Sequence, residues 1–316
     1  MIRSFLRSLC LLAFLGSLGC TYEAGQGSGV EPAEPAKPSD PQVQTAVVSE
    51  TGGVSVAGGA TGLDEQRDVR ELLEELLKAK NPGYRGGAHF EMREGLPVGI
   101  FLANQPISDI SMFKGLPLMV LELTGTQVSD ISALERMPLR ALFIEDTKVE
   151  DLGALAGAPL MEFALNNTRV RNIDSLAGAP LKELRMAETR VKDISALAGS
   201  KTLEMLWLNN SDVENIAPLK GAPLVSLTLR GTRVKDLSPL AGSQTLQRLH
   251  IAETRVEDLS PLAGLKLTRL VFTPSRVERG MEAVQTIPSL KEMGDSLESM
   301  MHPVQFWQRY AAGGFR

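Results

Sequence analysis

Two stretches of the chain, LKELRMAETRVKDISALAGSKT at residues 181–202 and LQRLHIAETRVEDLSPLAGLK at residues 246–266, share one pattern of leucines and polar residues. The pattern can be written LxxLxLxxTxVxDlsxLag, and it returns in register every 21 or 22 residues. The units begin at Leu118, Leu139, Leu160, Leu181, Leu203, Leu224, Leu246 and Leu267. A unit this short cannot bury its own apolar face, so we expect stacked copies that form a solenoid.

The first half of each unit alternates apolar and polar residues, which is typical of a strand with one buried face. In the unit that begins at Leu181, Leu184 and Met186 should point into the core, while Glu183 and Arg185 should point outward. The unit is too short for a strand and a full helix, so turns and 3-10 segments should return the chain. We therefore predict an α/β solenoid with a parallel sheet on its concave face and turns on its convex face.

Two polar positions recur in the units, and we interpret both as structural. The first precedes the turn, where a carboxylate or amide oxygen can accept free backbone N–H groups; it holds Asp130, Asp151, Asn172, Asp193, Asn215, Asp236 and Asp258. The second follows the strand, where a hydroxyl can bond to the turn backbone; it holds Thr126, Thr147, Thr168, Thr189, Ser211, Thr232, Thr254 and Ser275.

The ends of such an array need caps, because an open end would expose the core to water. On the N-terminal side, apolar residues at helical spacing predict an amphipathic helix that starts at Leu63, with Thr61 as its cap, and stops at Asn81. The aromatic residues expected to cover the last repeat are Phe306, Trp307, Tyr310 and Phe315.

The N-terminus has the organisation of a secretory signal, with Arg3 and Arg7 before a short apolar run. That run of about ten residues is too short to span a bilayer as a helix. The Gly19-Cys20 end resembles the lipobox of bacterial lipoproteins, which implies cleavage of the signal and acylation of Cys20. The two residues before Gly19 depart from the usual lipobox, so a plain cleaved signal and an uncleaved anchor helix stay open as alternatives.

The residues after Cys20 are rich in Gly, Pro, Ser, Ala and Glu, a composition typical of a disordered tether. A lipid, a tether and a folded body predict a protein of the bacterial cell envelope, attached to a membrane on its extracytoplasmic side. Thr21 stands where an Asp retains some lipoproteins at the inner membrane, which favours the outer membrane. The predicted regions are a signal peptide at 1–19, a lipidated tether at 20–62, an N-terminal cap of helix plus strand at 63–96, repeats at 97–289 and a C-terminal cap at 290–316.

Composition argues against several classes of function. The formal net charge is −5, or −7 once a leader carrying Arg3 and Arg7 is removed, so the chain lacks the basic footprint of a nucleic-acid binder. The two cysteines, Cys10 and Cys20, provide no disulfide framework, and the three histidines lie in different regions. We therefore predict no enzymatic activity, no metal, no cofactor and no nucleic-acid partner.

The repeats resemble those of bacterial internalins, whose units read LxxLxLxxNxIxDIxPLxxL; this identifies the pattern as a leucine-rich repeat. The flanks resemble leucine-rich repeat proteins of planctomycete-type bacteria, which often have an NPGY segment before the repeats and a FWKKYDAGEF-like tail after them. Residues 81–84 read NPGY, and residues 306–315 read FWQRYAAGGF. Some proteins of that group carry protein kinases, but this chain has neither a Gly-rich phosphate loop nor a kinase catalytic loop. The resemblance therefore implies a stand-alone interaction module.

In this fold family the concave sheet face is the usual binding surface, and the repeat numbering identifies its side chains. Acidic residues collect on the early strands and basic residues on the late ones, and an outward aromatic beside Arg is typical of an interaction hot spot. The residues predicted to bind a partner are Phe143, Arg185, Met205, Trp207, Arg230, Arg248 and His250.

These residues lead us to predict a non-catalytic protein-binding scaffold. The alternative is a module that binds carbohydrate or cell-wall glycan, with Phe143 and Trp207 as stacking platforms. A third interpretation is that a sheet merely tolerates both aromatics, since aromatic residues favour strands.

Overall fold

The computed structural model describes residues 45–48, 54–57 and 68–315. The predicted signal peptide, Cys20 and the predicted helix cap at Thr61 lie outside these residues. Strands β1 (Thr45–Val48) and β2 (Val54–Ala57) form an antiparallel pair by themselves. They lie within the stretch predicted to be a disordered tether, and their valine content favours the strand conformation found there. The rest of that stretch lies outside the described residues.

Within residues 68–315, eleven strands form one sheet in chain order, from β3 to β13. Strands β3 and β4 pair antiparallel, and the later neighbours all pair parallel. The strands are β3 (His89–Arg93), β4 (Leu96–Phe101), β5 (Val120–Glu122), β6 (Ala141–Phe143), β7 (Glu162–Ala164), β8 (Glu183–Arg185), β9 (Met205–Trp207), β10 (Ser226–Thr228), β11 (Arg248–His250), β12 (Arg269–Val271) and β13 (Glu292–Gly294). The predicted α/β leucine-rich repeat solenoid is confirmed.

The core lies between the strands and the segments that return the chain. In β8, Leu184 is fully buried while Glu183 and Arg185 are half-buried, as the alternating pattern predicts. Val191 and Ile194 are buried on the opposite side of the same core. Each fully buried side chain of this size contributes about 1.5–3 kcal/mol relative to an exposed one. The repeats thus share one continuous core that no single repeat could form.

Short 3-10 turns return the chain on the side opposite the strands. They are Ser111–Phe113, Ser132–Leu134, Gly153–Leu155, Asp174–Leu176, Ser195–Leu197, Ala217–Leu219, Ser238–Leu240 and Ser260–Leu262, whereas a further 3-10 turn, Pro274–Arg276, directly follows β12. The backbone N–H of Ser195 donates to Asp193 Oδ1 at 2.8 Å, which satisfies the free donor at the start of its turn. The same bond is made to Asp130, Asp151, Asn172, Asn215, Asp236 and Asp258. The structural role predicted for this position is confirmed.

The hydroxyl position after each strand is also structural. Thr189 Oγ1 donates to the Met186 carbonyl at 2.9 Å, three residues earlier in the chain. Equivalent bonds are made by Thr126, Thr147, Thr168, Thr232 and Thr254. Ser211 is buried at the same position, but its hydroxyl has no hydrogen-bond partner within the described residues. Ser275 was wrongly assigned to this column, because it is exposed in the 3-10 turn that replaces the regular pattern in the last repeat.

Two repeats have 22 residues instead of 21, and the extra residue lies in the connection that follows the 3-10 turn. In the repeat that begins at Leu181, the backbone N–H of Leu203 donates to Ser200 Oγ at 3.2 Å. Thr202 Oγ1 donates to the Leu181 carbonyl at 2.8 Å. Strands β8 and β9 on either side keep the regular register.

Helix α1 (Val69–Lys80) caps the N-terminal end of the solenoid. It begins later than predicted, because Asp68 is its N-cap and Asp68 Oδ1 accepts from the Arg70 backbone N–H at 3.0 Å. Leu73 and Leu77 are fully buried in the core. None of the helices within the described residues is long and apolar enough to cross a membrane.

The NPGY segment, residues 81–84, joins α1 to the first repeat. Asn81 is buried, and its amide donates to the carbonyls of Leu77 at 3.1 Å and Asp109 at 2.9 Å. Asn81 Oδ1 accepts from the backbone N–H groups of Ser108 at 2.8 Å and Asp109 at 2.9 Å. The Tyr84 hydroxyl donates to Glu74 Oε2 at 2.8 Å, and burial raises the pKa of this phenol. The segment is therefore a polar joint within the cap.

The C-terminal cap consists of helices α2 (Met281–Gln285) and α3 (Pro303–Ala311). Phe306 of α3 is fully buried, with its ring centroid 5.5 Å from that of Phe272 and 4.8 Å from that of Phe315. Trp307 packs edge-on against Phe306 at 5.3 Å. Tyr310 was also predicted to cover the last repeat, but it is exposed and contacts the outer side of Trp307 instead, with ring centroids 5.8 Å apart.

Candidate functional site

The face of the sheet that points away from the core is called here the outward face. Strand pairing aligns its side chains in two rows, each with one residue per strand. The first row is Gly99, Val120, Ala141, Glu162, Glu183, Met205, Ser226, Arg248, Arg269 and Glu292. The second row is Phe101, Glu122, Phe143, Ala164, Arg185, Trp207, Thr228, His250, Val271 and Gly294.

Three of the residues predicted to bind a partner form one cluster in the second row. The guanidinium carbon of Arg185 lies 6.0 Å from the Phe143 ring centroid and 5.9 Å from the Trp207 ring centroid. Arg185 Nε also lies 2.7 Å from Glu183 Oε1. Ala164 stands between Phe143 and Arg185 in the row, and its small, buried side chain leaves space for the guanidinium. The cluster is a cation held between two aromatic rings and paired to a carboxylate.

Strands β5 to β8 carry an excess of carboxylates on this face. Burial raises the pKa of Glu162, and the charge of Glu183, its neighbour on β8, raises it further, while Arg185 lowers it. Burial likewise raises the pKa of Glu122; the Thr124 hydroxyl lowers it, the charge of Glu145 raises it, and Arg185 lowers it. One guanidinium thus faces four carboxylates in this part of the sheet. The repeat numbering placed these acids on the face, but hydrophobicity and motif signals did not single them out.

Basic residues of the late strands are largely paired. Arg230 Nη2 lies 2.9 Å from Glu253 Oε1, and Arg269 Nε donates to Glu292 Oε2 at 2.6 Å. Arg248 is exposed and makes no ion pair with any residue that the structure describes. The residues of the outward face therefore do change from acidic to basic along the sheet, as predicted. Neighbouring carboxylates nevertheless neutralise most of the positive charge at the basic end.

The register places His250 on the outward face, yet its side chain is only 7 % exposed, so the prediction that it is available to a partner is wrong. Val271, the next residue in the row, is fully buried as well. The reason is the segment after β13, which returns over this end of the sheet. A Cβ atom added to Gly294 would lie 2.8 Å from the Ser296 carbonyl oxygen and 3.0 Å from Met300 Sδ. Burial also lowers the pKa of His250, which favours the neutral imidazole.

The other two histidines have local contacts. The His89 ring lies 5.4 Å from the Phe101 ring, and His302 Nδ1 accepts from the Val304 backbone N–H at 3.3 Å as the N-cap of α3. In the part of the chain that the structure describes, no three His, Cys, Asp or Glu residues are grouped as metal ligands. Phe101 adds an aromatic residue to the second row two strands before Phe143, and it was not identified from the sequence because the N-terminal hairpin follows the repeat pattern only loosely.

Comparisons with known proteins agree with this architecture. No protein-family model and no curated protein sequence matches the chain. Among solved structures, an internalin (inlF) from Listeria monocytogenes is 22% identical, with a TM-score of 0.51 over 72% of this chain and 72% of that chain. Internalin C2 (inlC2) from the same organism is 22% identical, with a TM-score of 0.56 over 68% of this chain and 100% of that chain. The chain therefore has the leucine-rich repeat fold that these internalins also have.

Proposed function

We propose that the chain is a non-catalytic scaffold that binds a protein partner on the outward face of its sheet. The Phe143–Arg185–Trp207 cluster supports this most directly, because it places half-buried aromatic rings where the fold does not need them. The core is filled by the central residue of each strand, such as Leu184. Aromatic and arginine side chains contribute most of the binding energy at many protein interfaces.

A photoreactive amino acid placed on each side of the solenoid tests this proposal. At Ala141, in the first outward row, it should yield covalent protein adducts in cells of the source organism. At Ala198, beside a 3-10 turn on the opposite side, it should yield few. Trp207→Ala should reduce the adducts formed at Ala141. Equal adducts at both positions would contradict the assignment of the face.

The alternative is a module that binds cell-wall glycan. It is favoured by the half-buried rings of Phe143 and Trp207, and by the polar side chains of Asn209, which follows β9, and of Thr228, which lies beside Trp207 on β10. Sugar hydroxyls both donate and accept, so they suit such groups. Retention of purified cell-wall glycan that is lost in Trp207→Ala, without any protein adduct at Ala141, would replace the first proposal.

We also propose that Cys20 is acylated and holds the scaffold at the bacterial envelope, outside the cytoplasm and on the outer membrane. The charged, apolar and Gly19-Cys20 parts of the N-terminal sequence support this. Two or more acyl chains hold a protein firmly, since each buried CH₂ contributes roughly 0.8 kcal/mol. Cys20→Ser should abolish incorporation of a labelled fatty acid, and label that persists in this variant would contradict the anchor.

A further inference from the structure

Arg185 shows which chemical group the outward face accommodates. Its guanidinium is enclosed by two rings at about equal distances, 6.0 and 5.9 Å, and is paired to a carboxylate at 2.7 Å. A planar guanidinium stacks on aromatic faces and is weakly hydrated, so it suits this environment better than an ammonium group does. The cluster is therefore an internal example of guanidinium recognition by this surface.

The same combination of residues occurs once more, nearer the N-terminal end of the second row. Phe101, Glu122 and Phe143 stand side by side on β4, β5 and β6, with the carboxylate between the two aromatic residues. Neighbouring strands are about 4.8 Å apart, so the two aromatic residues are separated by about 10 Å across Glu122. All three side chains are half-buried. We call these three residues the cation slot.

The charges around the slot are mostly negative. Glu91 of β3 reaches the neighbouring Gly99, where an added Cβ atom would lie 2.9 Å from Glu91 Oε2. Burial and the charge of Glu145 raise the pKa of Glu122, whereas the Thr124 hydroxyl and Arg185, which lies three strands away on β8, lower it. The His89 ring packs against Phe101, with ring centroids 5.4 Å apart. The carboxylates here thus exceed the cations that the chain supplies.

We propose that the cation slot binds the guanidinium group of an arginine side chain that belongs to the protein partner. Charge complementarity commits the slot to a cation, and the two flanking rings select the planar guanidinium, as they do for Arg185. The inference rests on the proposed scaffold function and deepens it, since it names the chemistry of one contact. The basic end of the face would not bind such a group, because Arg230 and Arg269 already pair with carboxylates there.

A pair of synthetic peptides tests the slot in the full chain at pH 7.5. The first peptide is acetyl-Gly-Gly-Arg-Gly-Gly-amide. In the second peptide the arginine is replaced by citrulline, its neutral isostere. The arginine peptide should shift the backbone amide NMR signals of Phe101, Glu122 and Phe143. The citrulline peptide should bind at least about tenfold more weakly, because it lacks the charge. Equal shifts with both peptides would overturn the proposal.

Substitutions locate the effect. Glu122→Gln keeps the shape of the side chain and should weaken binding of the arginine peptide by about tenfold; Phe101→Leu, which removes one ring, should weaken it several-fold. The matched control is Glu150→Gln. Glu150 is an exposed carboxylate outside the slot, and its Oε1 lies 3.2 Å from Arg169 Nη1. Binding that is unchanged in Glu122→Gln, or reduced equally in Glu150→Gln, would refute the slot.

The experiments can contradict the proposed cation slot without contradicting the proposed scaffold function, and the reverse. If Glu122→Gln leaves the protein adducts at Ala141 intact while Trp207→Ala removes them, the slot is wrong and the scaffold function stands. If no protein adduct forms at Ala141 in the unaltered chain, the scaffold function fails, and binding of the arginine peptide would then not identify a partner contact. Loss of adducts in both variants supports the slot.

Discussion

At its N-terminal end the solenoid is closed by a polar joint, whereas at its C-terminal end it is closed by aromatic rings. Asn81 makes four hydrogen bonds between helix α1 and the first repeat. Phe306 instead fills the far end, in contact with Phe272 and Phe315. The end of a solenoid can therefore be closed by polar groups that form all their hydrogen bonds, or by apolar side chains that exclude water. Either arrangement protects the core.

The outward face differs between the same two ends. Near the N-terminal end it carries carboxylates that the chain does not neutralise, and its rings are accessible. Near the C-terminal end, ion pairs offset Arg230 and Arg269 though not Arg248, and residues 295–300 cover His250 and Val271. Under the proposed function, this difference favours strands β4 to β9 as the binding part of the face, although the sequence spreads polar residues over the whole face.

The largest effect is expected from the aromatic end. Phe306→Ala should cost about 3–5 kcal/mol of unfolding free energy, because it removes a buried ring and leaves a cavity. Urea unfolding gives the loss, and amide hydrogen exchange should show that β12 and β13 open first. Tyr310→Ala is the control, since an exposed residue should change stability by about 0.5 kcal/mol or less. Equal losses in the two variants would contradict the role given to Phe306.

Breaking the polar joint should cost less. Asn81→Ala leaves a buried carbonyl of Leu77 and partly buried backbone groups of Ser108 and Asp109 without partners, for which we expect a loss of about 1–3 kcal/mol. Asn81→Asp keeps the acceptor and loses the two donated bonds. Hydrogen exchange should speed up in α1 and the first repeat while β12 stays protected. Loss of protection that is uniform along the array would show that the ends are not independent.

A glycine at each end of the outward face compares the covered and the open part directly. Gly294→Ala should cost about 1–3 kcal/mol, because its Cβ would meet the Ser296 backbone at 2.8 Å. Gly99→Ala should cost less, about 1 kcal/mol, because only the flexible carboxylate of Glu91 lies at 2.9 Å and the next contacts, Glu91 Cβ and Phe101 Cε2, lie at 3.2 Å. NMR titration supplies a second measurement: displacement of the covering segment in Gly294→Ala should bring the pKa of His250 back toward its ordinary value. A larger loss in Gly99→Ala would reverse the comparison.

The smallest effects concern charge, and they should have opposite signs at the two ends. At pH 7, Glu162→Gln should stabilise the protein by about 0.2–1 kcal/mol, since it removes repulsion from Glu183 directly across the strands. Glu292→Gln should destabilise it by a similar 0.2–1 kcal/mol, since it removes the partner of the exposed Arg269. Urea unfolding in low salt measures both. Changes of the same sign would contradict the difference in charge compensation.

The pH dependence of the first charge variant follows from the raised pKa of Glu162. The unfolded carboxyl titrates near pH 4.3, and the folded one at a higher pH. The folded state therefore binds its proton more tightly, so the cost of this carboxylate is relieved as the pH falls through the folded pKa toward the unfolded one. The advantage of Glu162→Gln at pH 7 should shrink and disappear below about pH 4. An advantage that does not change with pH would have another cause.

Periodicity was enough to predict the scaffold. The spacing of leucines determines which residues are buried, and the recurring Asp and Thr positions have one geometric task each, as Asp193 and Thr189 show. These predictions succeeded because each repeat meets the same neighbours, so that one local argument holds along the array. The start of α1 was harder, because Thr61 was predicted from the sequence as the cap, whereas the helix begins after Asp68, whose side chain accepts from the Arg70 backbone N–H.

The site was predicted only in part, because it depends on contacts that do not repeat. The row positions of Phe143, Arg185 and Trp207 follow from the register, but the orientation of Arg185 depends on the small Ala164 beside it. The burial of His250 depends on residues 295–300, which lie outside the repeats and return over the sheet. No periodic pattern reports a segment that folds back on the array.

The 22-residue repeats show how this molecule can change length. Their extra residue lies in the connection behind the sheet, where serine and threonine hydroxyls hold the longer loop and the strand register is unaffected. A duplication or deletion of one whole repeat, or an insertion at this connection, would thus leave the remaining rows aligned. The length of the array can thus change without disturbing the outward rows, and the connection at residues 200–202 offers engineers a place to graft a loop or a label.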